Sequence, residues 1–176
     1  MRVIIAALLL FVGSMGSACP FCDPQVLAAQ AFYEDELVLA LVDRNPAFPG
    51  HCLIIPRRHV ERFDELTEQE AQHVFSAIRI THRAVSAVFG TRAYLLLEKN
   101  GKEVAQDIPH VHMHYIPRRA GETSLLPLIW NVTTHDLWGR LTPQQMAEQT
   151  AQLKGYLQEH GIYSTHIESH RAAASL

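Results

Sequence analysis

His110-Val111-His112-Met113-His114-Tyr115-Ile116-Pro117 alternates imidazole with apolar side chains, and this alternation decides the fold. Successive side chains on a β-strand point to opposite faces. Val111, Met113 and Tyr115 therefore turn into a core. The histidines share the other face, about 6–7 Å apart at ~3.3 Å rise per residue. The pattern predicts a strand over 110–116, closed by Pro117. Imidazole can be nucleophile, acid, base or metal ligand near neutral pH. Such a row suits a phosphate or a metal, and the bland alternative is a polar face on a half-exposed strand.

The flanking segments supply the rest of a sheet. Residues 31–34 and 37–42 read as strands joined by the acidic turn Asp35-Glu36, and 51–55 as a third, stopped by Pro56. Residues 94–97 form the fourth, so 110–116 is the fifth, reached through a polar loop. Thr67-Glu68-Gln69-Glu70 is a capping box. Behind it Ala71, Val74, Phe75, Ile78, Val85, Val88 and Phe89 recur at helical spacing until Gly90 ends the helix. Thr142-Pro143-Gln144-Gln145 opens a second helix with the stripe Met146, Thr150, Leu153 and Leu157, ended by Gly161. Three strands, a helix, two strands and a helix predict an α+β fold with a five-stranded, mainly antiparallel sheet and two helices. Residues 117–140 form a long connection holding Trp130 and Trp138, which either bind something or simply pack. Ile55-Pro56-Arg57-Arg58 and Ile116-Pro117-Arg118-Arg119 look alike, but four residues do not establish a repeat.

At 176 residues the chain has single-domain length and enough material for a proper core. A net charge of −3 gives no general reason to expect a nucleic-acid partner. Arg2, the apolar run 3–12 and the small residues Gly13 to Ala18 resemble a signal peptide. The run is too short to span a bilayer comfortably. The expected organisation is a signal-like segment over 1–18, a domain over 19–161 and a flexible tail over 162–176. Export would follow from a cleaved signal, with lipid attachment at Cys19 a further option. A cytoplasmic location would follow from translation starting at Met15. Three cysteines do not make a disulfide framework. Cys52 reads as a buried, inert thiol. Cys19 and Cys22 have metal-ligand spacing but need two more ligands, and a disulfide between them is the competing reading.

A metal-hydrolase site would need carboxylates beside the histidine row, and the strand carries none. A nucleophilic site needs one histidine with a free far nitrogen and a near nitrogen fixed by an acceptor. Gln106, Lys99-Asn100-Gly101 and Arg118-Arg119 flank the row and suit an anionic substrate.

Gln106-Asp107-Ile108-Pro109-His110-Val111-His112-Met113-His114-Tyr115-Ile116-Pro117-Arg118 resembles the signature of the histidine triad (HIT) family of nucleotidyl hydrolases and transferases. The likeness runs from Cys19 to Arg119. It takes in Asp43, Pro49-Gly50-His51 and Ile55-Pro56-Arg57-Arg58-His59, and leans toward the fragile-histidine-triad branch, which cleaves dinucleoside polyphosphates. The resemblance implies that His112 attacks the α-phosphorus to form a nucleotidyl-histidine that water then hydrolyses. It also implies that His114 donates to a non-bridging oxygen, that His51 orients the site, and that Asp43 accepts from ribose hydroxyls. Asn100, Gln106 and Asp107 would complete the substrate contacts. It further implies a structural zinc on Cys19, Cys22, His59 and His110, no organic cofactor, and a homodimer formed through the helix and a sheet edge. A nucleoside phosphoramidase, a nucleotidyltransferase and a slow nucleotide-binding signalling module are the alternatives within the fold. Ala105 and Asp107 depart from the family, which commonly has Gly and a hydroxyl residue there. An ionised carboxylate repels phosphate where a hydroxyl would donate to it.

Overall fold

A computed structural model describes residues 19–119, 121–134 and 139–162. The signal-like segment and the tail beyond Ile162 lie outside the described residues, as does Trp138. Five strands form one antiparallel sheet: β1 (Ala31–Glu34), β2 (Val38–Val42), β3 (Cys52–Pro56), β4 (Thr91–Leu97) and β5 (Met113–Arg119), in the order β1-β2-β3-β5-β4. Four helices accompany it: α1 (Pro24–Gln30), α2 (Glu68–Phe89), α3 (Leu125–Thr134) and α4 (Pro143–Glu159).

The two helices expected from periodicity are α2 and α4, and both start on capping boxes as their sequences dictate. Thr67 accepts from the Glu70 N–H and Thr142 from the Gln145 N–H. Gly90 takes the left-handed conformation that ends α2. Among the described residues there are four helices where two were expected. Asp23 caps α1 by accepting the Gln25 N–H at 2.8 Å, and Pro24 starts it, but seven residues leave little periodicity to read. In α3 Pro127 sits within the first turn, where a missing N–H does no harm. None of the α3 side chains is buried, so no contact with the core identifies it.

Alternation along the strands divides the sheet into two faces. Val38, Ala40, Val42, Cys52, Ile54 and Tyr115 pack with Val74, Ala77, Ile78 and Val85 of α2 and with Met146, Leu153 and Leu157 of α4. Leu39, Leu41, Leu53 and Ile55 form a second cluster with Phe21 on the opposite face. Phe75, expected in the α2 stripe, is instead 57% exposed, because the buried arc runs through Val74, Ala77, Ile78, Thr81, Ala84 and Val85. Cys52 is fully buried, as read from its apolar strand, and burial pushes its thiol well up.

Two strand boundaries also differ from expectation. Pro56 is the last residue of β3 and ends it, as expected to within one residue, whereas Pro117 lies inside β5 rather than closing it. Pairing of β3 with β5 runs only from Ile54↔Met113 to Cys52↔Tyr115, so Pro117 has a ladder partner on the β4 side alone and costs the β3 side no hydrogen bond. The strand expected over 110–116 begins at Met113. Ahead of it, the Val111 N–H goes to the Val60 carbonyl (2.8 Å) and the His110 N–H to Ile108 (2.8 Å), outside the sheet.

Candidate functional site

The turn before β3 delivers His51. Gly50 has φ +86°, and a Cβ there would meet Val85 Cγ1 at 2.9 Å, so only glycine brings the chain this close to α2. The Ala47 N–H donates to His51 Nδ1 at 3.0 Å, which leaves the imidazole hydrogen on Nε2. That Nε2 lies 3.0 Å from His114 Nδ1 and 3.3 Å from Asp43 Oδ2. The shorter contact makes His114 Nδ1 the acceptor and puts the His114 hydrogen on Nε2. Asp43 Oδ1 accepts from the Asn45 N–H at 2.8 Å, holding the carboxylate at the end of β2.

His112 is set by its own chain. Its Nδ1–H donates to the His110 carbonyl at 2.6 Å, so the lone pair is on Nε2. Desolvation by burial holds its pKa below the ordinary imidazole value, which keeps the ring neutral at pH 7. The rings of His112 and His114 meet edge to face at 5.0 Å. The expected row is interrupted on the other side: Phe21 packs edge-on to His110 (5.7 Å) and tilted to His112 (5.4 Å).

His110 is fully buried and faces another group altogether. Its Nε2–H donates to the Pro56 carbonyl at 2.9 Å, and its Nδ1 lies 3.4 Å from Cys19 Sγ and 3.8 Å from Cys22 Sγ. His59 Nδ1 is 3.4 Å from Cys22 Sγ. Tetrahedral zinc with S at ~2.3 Å and N at ~2.0 Å needs about 3.5 Å between S and N ligand atoms. The four residues offer ligand atoms all within 4.8 Å of one another.

His112 and His114 line a cleft of about 280 Å³ with Asp43, Arg44, Asn45, Lys99 and Asp107 at its polar side. Pro20, Phe21, Val26, Leu53 and Ile108 form the apolar side. The candidate residues thus divide. His112, His114, Asp43 and Asp107 meet at the cleft with His51 behind them, while Cys19, Cys22, His59 and His110 gather beside it. Asn100 and Gln106 do not line it. Asn100 accepts the Phe63 N–H (2.9 Å) and donates to Asp64 (3.0 Å). Gln106 accepts the Gly101 N–H (2.6 Å) and donates to the Glu61 carbonyl (2.8 Å). Both brace the loop that precedes the histidines. Phe21, Arg44 and Asn45 belong to the cleft but were not among the expected site residues: Phe21 lies between two cysteines read for their thiols, and Arg44 and Asn45 begin a loop with no periodicity. Behind His112, burial pushes the Glu98 carboxyl up to about 7 against the weak pull of the His112 backbone N–H. Neither Glu98 oxygen makes a well-formed hydrogen bond among the described residues.

Comparison with known proteins agrees with this architecture. The family model described as HIT domain matches residues 25–121. An uncharacterized HIT-like protein of Methanocaldococcus jannaschii is 37% identical over 106 residues, 59% of this chain and 81% of that one. The bis(5'-nucleosyl)-tetraphosphatase [asymmetrical] of Schizosaccharomyces pombe is 34% identical over 105 residues, 60% of this chain but only 58% of that protein. In three dimensions, a zinc-bound histidine triad family protein of Mycobacterium smegmatis superposes with a TM-score of 0.62 at 23% identity, over 82% of this chain and 96% of that one. With the match extending over more than half of its length and the histidine motif at the centre of its cleft, the chain belongs to the HIT domain family.

Proposed function

We propose that this protein is a hydrolase that cleaves nucleoside polyphosphate conjugates, of the dinucleoside polyphosphate class, at the α-phosphate. The observation that carries this reading is the His112 tautomer: with Nδ1–H committed to the His110 carbonyl, the neutral ring offers its Nε2 lone pair for attack. In the first step the Nε2–phosphorus bond forms and the bond to the leaving phosphate oxygen breaks. In the second, water displaces the imidazole, releasing a nucleoside monophosphate and restoring neutral His112. The His114 Nε2–H and the Lys99 ammonium stabilise charge on the phosphoryl oxygens, and His51 holds His114 in the donor tautomer. The apolar side of the cleft takes the base, and Asp43 takes the ribose hydroxyls. The named activity of the fission yeast relative supports this substrate class.

Cys19, Cys22, His59 and His110 fit zinc by donor chemistry. The far nitrogen of His110 donates to a carbonyl, the arrangement that directs a lone pair at a metal through the other nitrogen. Bound zinc supplies structural cross-linking in a closed Cys₂His₂ site. A homodimer joined along β4 accounts for that strand's exposed Tyr94, Leu95 and Leu96, which are 36–43% accessible.

The decisive experiment mixes the protein with diadenosine triphosphate and follows turnover and intact mass. Wild type should show a transient nucleotidyl adduct. His112→Ala should lose the adduct and at least ~10³-fold in rate while remaining folded. Near-normal hydrolysis by the variant would remove the mechanism. A second reading, slow turnover in a nucleotide-binding module, is favoured by Asp107, whose carboxylate lines the cleft beside His112. It predicts that no nucleotidyl adduct is trapped in the wild-type protein, and that the rate rises in Asp107→Ser.

A further inference from the structure

The Cys19–Cys22 turn contributes more to the cleft than ligands. Between its thiols stand Pro20 and Phe21, and both line the cleft. Phe21 is buried and wedged against His110 and His112. His110 connects the two regions through different atoms. Its side chain faces the thiols, while its main-chain carbonyl takes the hydrogen bond that fixes the nucleophile.

The segment carrying that carbonyl is not held by the sheet, because β5 begins only at Met113. Its anchors are the His110 side chain on the Pro56 carbonyl and the Val111 N–H on the Val60 carbonyl. These anchors flank His59, the remaining member of the ligand cluster. Three pieces of chain therefore converge: the 19–22 turn, the 56–60 turn and the 108–112 segment. Cys22 and His59 are exposed, so little packing holds the outer side of this junction.

We propose that the Cys19, Cys22, His59 and His110 clamp is a positioning device for the nucleophile and for the wall of the base-binding side. When the clamp is closed by metal, Phe21 stays against the cleft and the His110 carbonyl stays on His112 Nδ1. When it is open, the cleft loses its aromatic wall and the nucleophile its single tautomer. This rests on the zinc reading above and adds to it that the metal acts on substrate binding and not only on stability. His110 and Phe21 are then positioning residues.

The test uses the full chain, loaded with zinc and then stripped by a chelator with the thiols kept reduced. AMP binding is measured by calorimetry, and the His112 tautomer is read by nitrogen NMR of the imidazoles. Stripping should weaken AMP binding by at least about tenfold, turn the single Nδ1–H pattern of His112 into a mixture, and be reversed by zinc. Phe21→Ala in the zinc-loaded protein should lose about tenfold in AMP affinity yet keep the His112 tautomer. Zinc-stripped protein with unchanged AMP affinity and a single tautomer would overturn the coupling while leaving the zinc site standing. Should stripping unfold the chain, Phe21→Ala decides, and unchanged AMP affinity in it overturns the proposal. Failure to take up zinc at all, read by metal analysis, overturns both.

Discussion

Two clusters flank His112, and each has the spacing of a metal site. Cys19, Cys22, His59 and His110 lie on one side, and Asp43, His51 and His114 on the other, each set within 4.8 Å. The His51, His114 and Asp43 atoms are separated by 3.0, 3.3 and 3.9 Å, distances that three ligands of one ion could have. The imidazole hydrogens separate the two clusters. His110 donates from its far nitrogen and so presents a lone pair to the thiols. His51 accepts at its far nitrogen, from the Ala47 N–H, and so presents a hydrogen to Asp43 and His114. Metal at His51 Nε2 would demand an imidazolate, whereas metal at His110 Nδ1 displaces nothing. One cluster thus has the donor set for the proposed clamp, and the other relays a hydrogen-bonding orientation to His114.

The largest expected effect breaks the clamp. Replacing Cys19 and Cys22 together by serine should abolish zinc content and destabilise the fold by roughly 3 kcal/mol or more, measured by denaturant titration. Unchanged stability would mean that the thiols hold nothing. On the relay side, His51→Gln should leave zinc content intact and lower turnover by about 10²-fold, because His114 loses its fixed tautomer. Loss of zinc in that variant would collapse the distinction between the clusters.

A finer test uses the carboxylate behind His112. Glu98 has a folded pKa raised from 4.5 to about 7 by burial. Its protonated form favours the fold. The stability it contributes is full below the ordinary value and is lost as pH rises through about 7. Glu98→Gln should therefore be more stable than wild type at pH 8 by about 1–2 kcal/mol, allowing for partial exposure, with the gap closing near pH 4–5. A gap independent of pH would show that Glu98 titrates normally. The smallest effect concerns the loop leading to the histidines. Ala105 has φ +59° and is the only non-glycine with positive φ among the described residues. Ala105→Gly should stabilise by about 0.5–1 kcal/mol without changing zinc content or the His112 tautomer. Destabilisation would mean that the alanine methyl packs more than its backbone strains.

The contrast between the clusters also marks how far sequence reading reached. The alternation of His112, Met113, His114 and Tyr115 gave the faces correctly, since side-chain direction in extended chain follows from covalent geometry. Thr67 and Thr142 identified helix starts for the same reason, as a cap needs only residues three apart. Phe75 misled because a stripe drawn from hydrophobicity alone cannot say which arc of a helix meets the sheet. The amides of Asn100 and Gln106 could serve a ligand or a loop equally well, and only the tertiary structure shows their bonds to Glu61, Phe63 and Asp64.

By itself the amino-acid order determined the strands, the two long helices, the shared face of His112 and His114, and the departures at Ala105 and Asp107. These rest on neighbours within a few residues, where the backbone leaves few choices. Tertiary structure decided the rest. Cys19 meets His110 across 91 residues and Cys22 meets His59 across 37, Phe21 divides the histidine row, and the donors sort into clamp and relay. Contacts between distant segments depend on how whole faces pack, and no local pattern records the carbonyl or N–H that an imidazole will face. The Pro56 carbonyl, brought to His110 by the pairing of β3 with its neighbours, takes the Nε2 hydrogen of an alternating histidine and leaves its Nδ1 facing the thiols.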